Sequence, residues 1–142
     1  MIATAAEFVR LRTSDKQEDY ERAHVEPATI EVWLDVIRDY PDMREWVAHN
    51  RTVPAEILRI LACDPDRRVR ARVASKRLTH RTPDLIEVFS RDPDPYIRLD
   101  MARSPSAPVE MLERLSSDEH EWVRLTAAAR AKGEPAPDLT KL

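Results

Sequence analysis

Hydrophobic positions along this chain come in short groups at helical spacing, divided by polar or proline-bearing breaks. Ile30, Trp33, Leu34 and Ile37 fit one stripe of a helix, and Met43, Trp46, Val47 and Ala48 fit the next, after a break at Tyr40-Pro41-Asp42. Ile57, Leu58, Ile60 and Leu61 precede Val69, Val73 and Ala74. Leu85, Ile86, Val88 and Phe89 precede Ile97, Met101 and Ala102, and Met111, Leu112 and Leu115 precede Val123, Ala127 and Ala128. Each pair of groups predicts two short amphipathic helices with a turn between them. Prolines at 54, 83 and 108 sit where first turns are expected, with Thr52 and Thr82 placed to cap. Upstream, Thr4 and Glu7 have capping-box spacing before Phe8, Val9 and Leu11, and Ser14 and Gln17 repeat that spacing before a polar helix to about His24 carrying Tyr20 and Ala23.

The pattern recurs. DPDRRVRARVA begins at Asp64, DPDPYIRLDMA at Asp92 and DEHEWVRLTAA at Asp118, in steps of 28 and 26 residues. One such pair of helices buries too little to offset its own chain entropy, so the units must stack. The expectation is an all-α array of about four two-helix units. Residues 1–26 form an N-terminal helical cap, 27–50 a degenerate repeat, and 51–77, 78–105 and 106–132 the clear ones, making one domain over 1–132. Ser75 to Arg81 is a wider, basic joint, and residues 133–142 form a flexible tail, frayed or extended.

Composition narrows the chemistry. One glycine against eleven prolines disfavours hairpins and glycine-rich phosphate loops. Net charge is −3, with 23 basic and 26 acidic side chains, so nucleic-acid binding would need a local patch. The lone Cys63 forms no intramolecular disulfide and is expected to be a small buried hydrophobe. No apolar run suggests a signal peptide or a membrane span, so a cytoplasmic protein is expected. The histidines at 24, 49, 80 and 120 stand at no metal-ligand spacing, and no catalytic motif is present, so neither metal nor cofactor is expected.

The stretch LACDPDRRVRARVA, followed by TPDLIEVFSRDPDPYIRLDMARSPSAPVEMLERL, resembles the leucine-rich repeat variant family over roughly residues 47–130. The resemblance implies a right-handed α-α superhelix related to HEAT and armadillo arrays. The family's founding type carries an iron–sulfur module on a cysteine cluster. With Cys63 alone, the resemblance brings no such cofactor.

Aspartate and arginine recur six residues apart as Asp64 and Arg70, Asp92 and Arg98, and Asp118 and Arg124. The aspartate suits a helix N-terminus, and the arginine can reach an aspartate or carbonyls of the neighbouring unit. HEAT-like families use such a ladder to hold register. The competing reading is phosphate binding, and pairing leaves the guanidinium groups little capacity for it.

Repeat arrays bind along the concave surface lined by their second helices. By register, Arg68, Tyr96 and Trp122 share one outward slot, and Arg72, Asp100 and Thr126 another, with Trp46 equivalent in the first unit. His49, Ser75, Arg103 and Ala129 follow one turn on. Trp46, Arg68, Arg72, Tyr96, Asp100, Arg103 and Trp122 thus form a candidate partner-binding strip rich in interface residue types. Its bland reading packs both tryptophans as core. The basic run Arg67, Arg68, Arg70, Arg72, Lys76, Arg77 and Arg81 reads as an anion patch or, preferred at this net charge, as a solvated face balanced by Asp64, Asp66, Asp84 and Glu87. The expected function is a non-enzymatic scaffold for a protein or peptide. The alternative is a HEAT-like DNA-binding protein or DNA glycosylase using Trp46, Asp100, Arg103 and Trp122. A further possibility is one face of an oligomer.

Overall fold

The computed structural model describes residues 1–142. The chain is all-helical, with ten α-helices, three short 3-10 turns and no β-strand. It packs as two compact units, Met1–Val73 and Ala74–Leu142, where the sequence pattern points to one domain over 1–132. No helix is long and apolar enough to cross a membrane.

The first unit holds α1 (Ala5–Thr13), α2 (Gln17–Val25), α3 (Ile30–Asp39), α4 (Arg44–His49), α5 (Ala55–Leu61) and most of α6 (Arg67–Ala74). Thr4 caps α1 by accepting from Glu7 N at 3.1 Å, and Glu7 reaches back to Ala3 N at 2.8 Å. The cap expected from Ser14 is not made. Ser14 accepts from Lys16 N at 3.2 Å, and α2 has no side-chain cap. Phe8 and Leu11 are buried, and Phe8 meets Trp33 edge-on at 5.2 Å. That contact sets the rotation of α3, whose buried face is Val32, Trp33 and Val36. The expected stripe is therefore turned, with Ile30 and Leu34 exposed. Glu31, Asp35, Arg38 and Asp39 share the polar side of α3, and the apolar arc opposite them is wider than the packed face, so Ile30 and Leu34 lie at its exposed edge.

Asn50 ties this unit together. It is fully buried, and its amide donates to Ala23 O at 2.8 Å and Glu26 O at 3.0 Å. Its Oδ1 accepts from Thr52 N at 2.8 Å and Thr52 Oγ1 at 2.6 Å. Thr52 is thereby drawn away from the capping role expected of it, and α5 has no side-chain cap. Buried amides of this kind are stable only when each polar atom is satisfied, as here.

The second unit contains α7 (Pro83–Phe89), α8 (Pro95–Arg103), α9 (Val109–Leu115) and α10 (Glu121–Ala131). Helix α10 packs chiefly on α8 and α9. Thr82 does not cap α7, because its hydroxyl donates to Leu78 O at 2.6 Å. The wide basic joint contains a 3-10 turn, Thr79–Arg81, with Thr79 buried.

The seven-residue helices α5, α7 and α9 bury the same slots: Ile57, Leu58 and Leu61; Leu85, Ile86 and Phe89; Met111, Leu112 and Leu115. Ile60 and Val88, expected inward, are exposed instead. Arg114 occupies the same slot of α9 and reaches Glu87 Oε1 at 2.9 Å and Ser90 Oγ at 2.5 Å. Cys63 is exposed, contrary to expectation, because it lies in the turn beyond the last buried slot of α5. Thr126, expected outward, is fully buried in α10. The tail is partly anchored. Gly133 takes φ of 76° to end α10, and Leu139 is buried in a 3-10 turn capped by Asp138.

Candidate functional site

The three recurrent aspartates do the same local job. Asp64 Oδ1 accepts from Asp66 N at 2.9 Å, Asp92 Oδ1 from Asp94 N at 2.8 Å, and Asp118 Oδ1 from His120 N at 2.9 Å. Each side chain thus fixes the turn before α6, α8 or α10. Six residues on, Arg70, Arg98 and Arg124 donate to the same aspartates' carbonyls at 2.9, 2.8 and 2.9 Å. The expected partner is an aspartate or carbonyls of the neighbouring unit, and the carbonyls met here lie within the arginine's own turn.

Arg98 also grips Asp118 with both arms, at 2.9 and 3.0 Å. Burial alone would push the Asp118 carboxyl up, but Arg98 and the His120 N–H outweigh it and hold it below the usual carboxylate range. In the first unit, Asp64 has Arg44 Nη1 at 3.5 Å.

Among the strip residues of the first unit, Trp46 is half-buried under cations. Arg12 lies 3.5 Å from its ring centroid and Arg72 5.6 Å. His49 meets the ring edge-on at 5.8 Å and stacks on His24 at 4.3 Å. Arg72 pairs with Glu45 at 2.9 Å. Arg68 is exposed and held to Asp66 at 3.2 Å, and the Asp66 hydrogen bonds lead in raising its pKa. Trp46 and Arg72 thus belong to a local packing cluster, and Arg68 to its own turn.

The second unit presents a more open surface. Tyr96 is 51 % exposed at the start of α8. Its ring lies 5.6 Å from His120 and 6.1 Å from Trp122, with His120 and Trp122 also 6.1 Å apart, all edge-on. Asp100 and Arg103 follow Tyr96 by one and two turns on the same face of α8. They line a cavity of about 300 Å³ with Ser75, His80, Ser104 and Pro105. His80 Nδ1 lies 2.7 Å from Ser104 Oγ. Desolvation pushes the Asp100 carboxyl up, partly opposed by the charges of Arg103 and His80.

No family model matches this chain, and neither the curated proteins nor the solved structures give a match.

The second unit thus brings together Tyr96, Trp122, Asp100 and Arg103 of the expected strip, while Trp46, Arg68 and Arg72 lie in the first unit. Thr126, aligned by register with Asp100, is core and leaves the strip. His80 and His120 stand at no metal-ligand spacing, so the sequence pattern does not single them out. Their role is positional, since one lines the cavity and the other completes the ring cluster. Within the basic run, Arg67, Arg68, Arg77 and Arg81 are exposed, whereas Arg70, Arg72 and Lys76 are half-buried. No group of three or more His, Cys, Asp or Glu side chains is placed to hold a metal ion.

Proposed function

We propose that this chain is a non-enzymatic scaffold of short HEAT-like repeats, of the leucine-rich repeat variant kind, that binds a protein or peptide. Two features support the repeat reading. The period of 28 and 26 residues recurs in sequence, and equivalent slots of α5, α7 and α9 are buried alike. Burial also recurs at Val69, Ile97 and Val123, and at Val73, Met101 and Ala127.

The observation that carries the binding reading is Tyr96. A tyrosine half exposed, braced by His120 and Trp122 and followed on one face by Asp100 and Arg103, has the composition of an interface anchor. Rings held edge-on lose little freedom when a partner covers them. A core residue would be buried, and a casual surface residue would lack the bracing.

The DNA-binding and glycosylase alternative draws less support. Arg70, Arg98 and Arg124 are committed to turn carbonyls, and Arg68 and Arg72 to carboxylates. These contacts hold the guanidinium groups along their own turns and neighbouring carboxylates, which weakens their pull on phosphate.

Selection from a displayed random peptide library, read on the folded protein, tests the proposal. Selected peptides should lose binding by about tenfold or more in Tyr96→Ala or Trp122→Phe at unchanged helical content. Peptides indifferent to both substitutions, or a library that yields no binder, sink the reading.

A further inference from the structure

Asp100 is the unusual group in the second unit. Its carboxylate faces the cavity of about 300 Å³ and makes no hydrogen bond or ion pair, although Arg103 lies three residues on. Desolvation raises its proton affinity. A half-buried carboxylate without a partner is costly to a fold that gains nothing by it. Arg103 and His80 offset this only in part. Arg103 is exposed and forms no ion pair with it, and His80 is engaged by Ser104.

The residue types Ser104, His80 and Asp100 also suggest a nucleophile. Ser104 is only 1 % exposed, however, and its Oγ accepts from Ser106 N at 3.3 Å. That hydroxyl braces the α8–α9 turn and is not open to a substrate.

We infer that the Asp100 cavity is a subsite for the basic side chain of a bound peptide, an arginine or a lysine. The inference rests on the reading of this face as a peptide-binding strip, and it names the chemistry of one position on the ligand. Three features fit. The lone carboxylate supplies a charge-assisted acceptor. Tyr96, one turn earlier on the same face of α8, offers a ring to the aliphatic stem or the guanidinium plane. The volume lies at the small end of ligand pockets, enough for one long side chain. Arg103 lines the same cavity, so it weakens the hold on the incoming cation and favours an acidic neighbour on the peptide.

Nuclear magnetic resonance titration tests this directly, with N-acetyl-arginine methylamide as probe and the citrulline analogue as its neutral isostere at matched ionic strength. The arginine and lysine probes should shift the amides of His80, Asp100 and Ser104 with a Kd on the order of 10 mM. The citrulline analogue should bind about tenfold or more weakly. Asp100→Asn, an isosteric change, should remove the preference while circular dichroism stays the same. Equal binding of arginine and citrulline, an unchanged response in Asp100→Asn, or no shift with any probe overturns the subsite. The strip reading would survive each of those results if selected peptides still depend on Tyr96 and Trp122.

Discussion

Arg98 and Asp118 stand twenty residues apart in sequence and meet with two parallel hydrogen bonds, at 2.9 and 3.0 Å. The same guanidinium donates to Asp92 O at 2.8 Å and Pro93 O at 3.3 Å, so one side chain clamps its own turn and the turn before α10. Both side chains are close to nine-tenths buried. Each atom of the pair is satisfied, because Asp118 Oδ1 also accepts from His120 N.

Breaking this clamp on one side leaves an uncompensated charge. Arg98→Ala should cost about 3–5 kcal/mol of stability, the usual size for orphaning one member of a buried pair. Arg98→Lys should recover part, because an ammonium cannot match the two-armed geometry. Urea denaturation checks both. A loss under about 1 kcal/mol for Arg98→Ala would show the pair to be solvated and incidental.

The pair also sets an acid dependence. Asp118 has a folded pKa depressed below its unfolded value, near 3.9 for an aspartate. The folded state therefore binds fewer protons, and the stability it contributes is present above the unfolded value and lost as pH falls through the folded one. Asp118→Asn should be less stable than the parent at neutral pH and should close the gap below about pH 4. Thermal melts across that range measure it. A gap independent of pH would assign the effect to packing.

Much of this fold is legible in the sequence, and the failures have physical causes. Helix positions follow from the apolar groups and from prolines at 54, 83 and 108. Facing is harder in helices of two turns. Ile60 and Val88 pass as core until aligned with Arg114, which no core slot would hold. Register fails in the other direction at Thr126, which aligns with Arg72 and Asp100 yet is small and apolar enough to bury. Caps expected from Thr52 and Thr82 fail because stronger local partners, Asn50 and the Leu78 carbonyl, claim the hydroxyls. Nothing in sequence announces the cavity, since Ser75, His80 and Asp100 meet only through tertiary packing.

Two aromatic residues of the expected strip should behave oppositely on truncation. Trp46 is half-buried and covered by Arg12 at 3.5 Å, with Arg72 and His49 around it. Trp46→Ala should cost about 2–4 kcal/mol, combining lost apolar burial with lost cation–π contact. Tyr96 is 51 % exposed, so Tyr96→Ala should cost less than about 1 kcal/mol. Denaturant titration of both variants decides. Equal losses would place the two residues in the same role and remove the ground for treating Tyr96 as an anchor.

Asp100 predicts the reverse of Asp118. Its folded pKa is raised, chiefly by desolvation, so the folded state holds a proton that the unfolded chain gives up earlier. Stability from this group is fully present below the unfolded value near pH 3.9 and is lost as pH rises through the folded value. The groups that face it work in both directions, with Arg103 and His80 lowering the pKa and Asp94 adding to the rise. At neutral pH the ionised carboxylate is thus a burden on the free protein. Asp100→Asn removes the charge at nearly constant shape and should raise the melting temperature by a few °C. That gain should shrink toward zero below about pH 4, where the parent carboxyl is protonated as well. Calorimetry of both proteins across the range separates the outcomes. A variant less stable than the parent at neutral pH would mean that the carboxylate serves the fold, and the argument from its unpaired charge would fall.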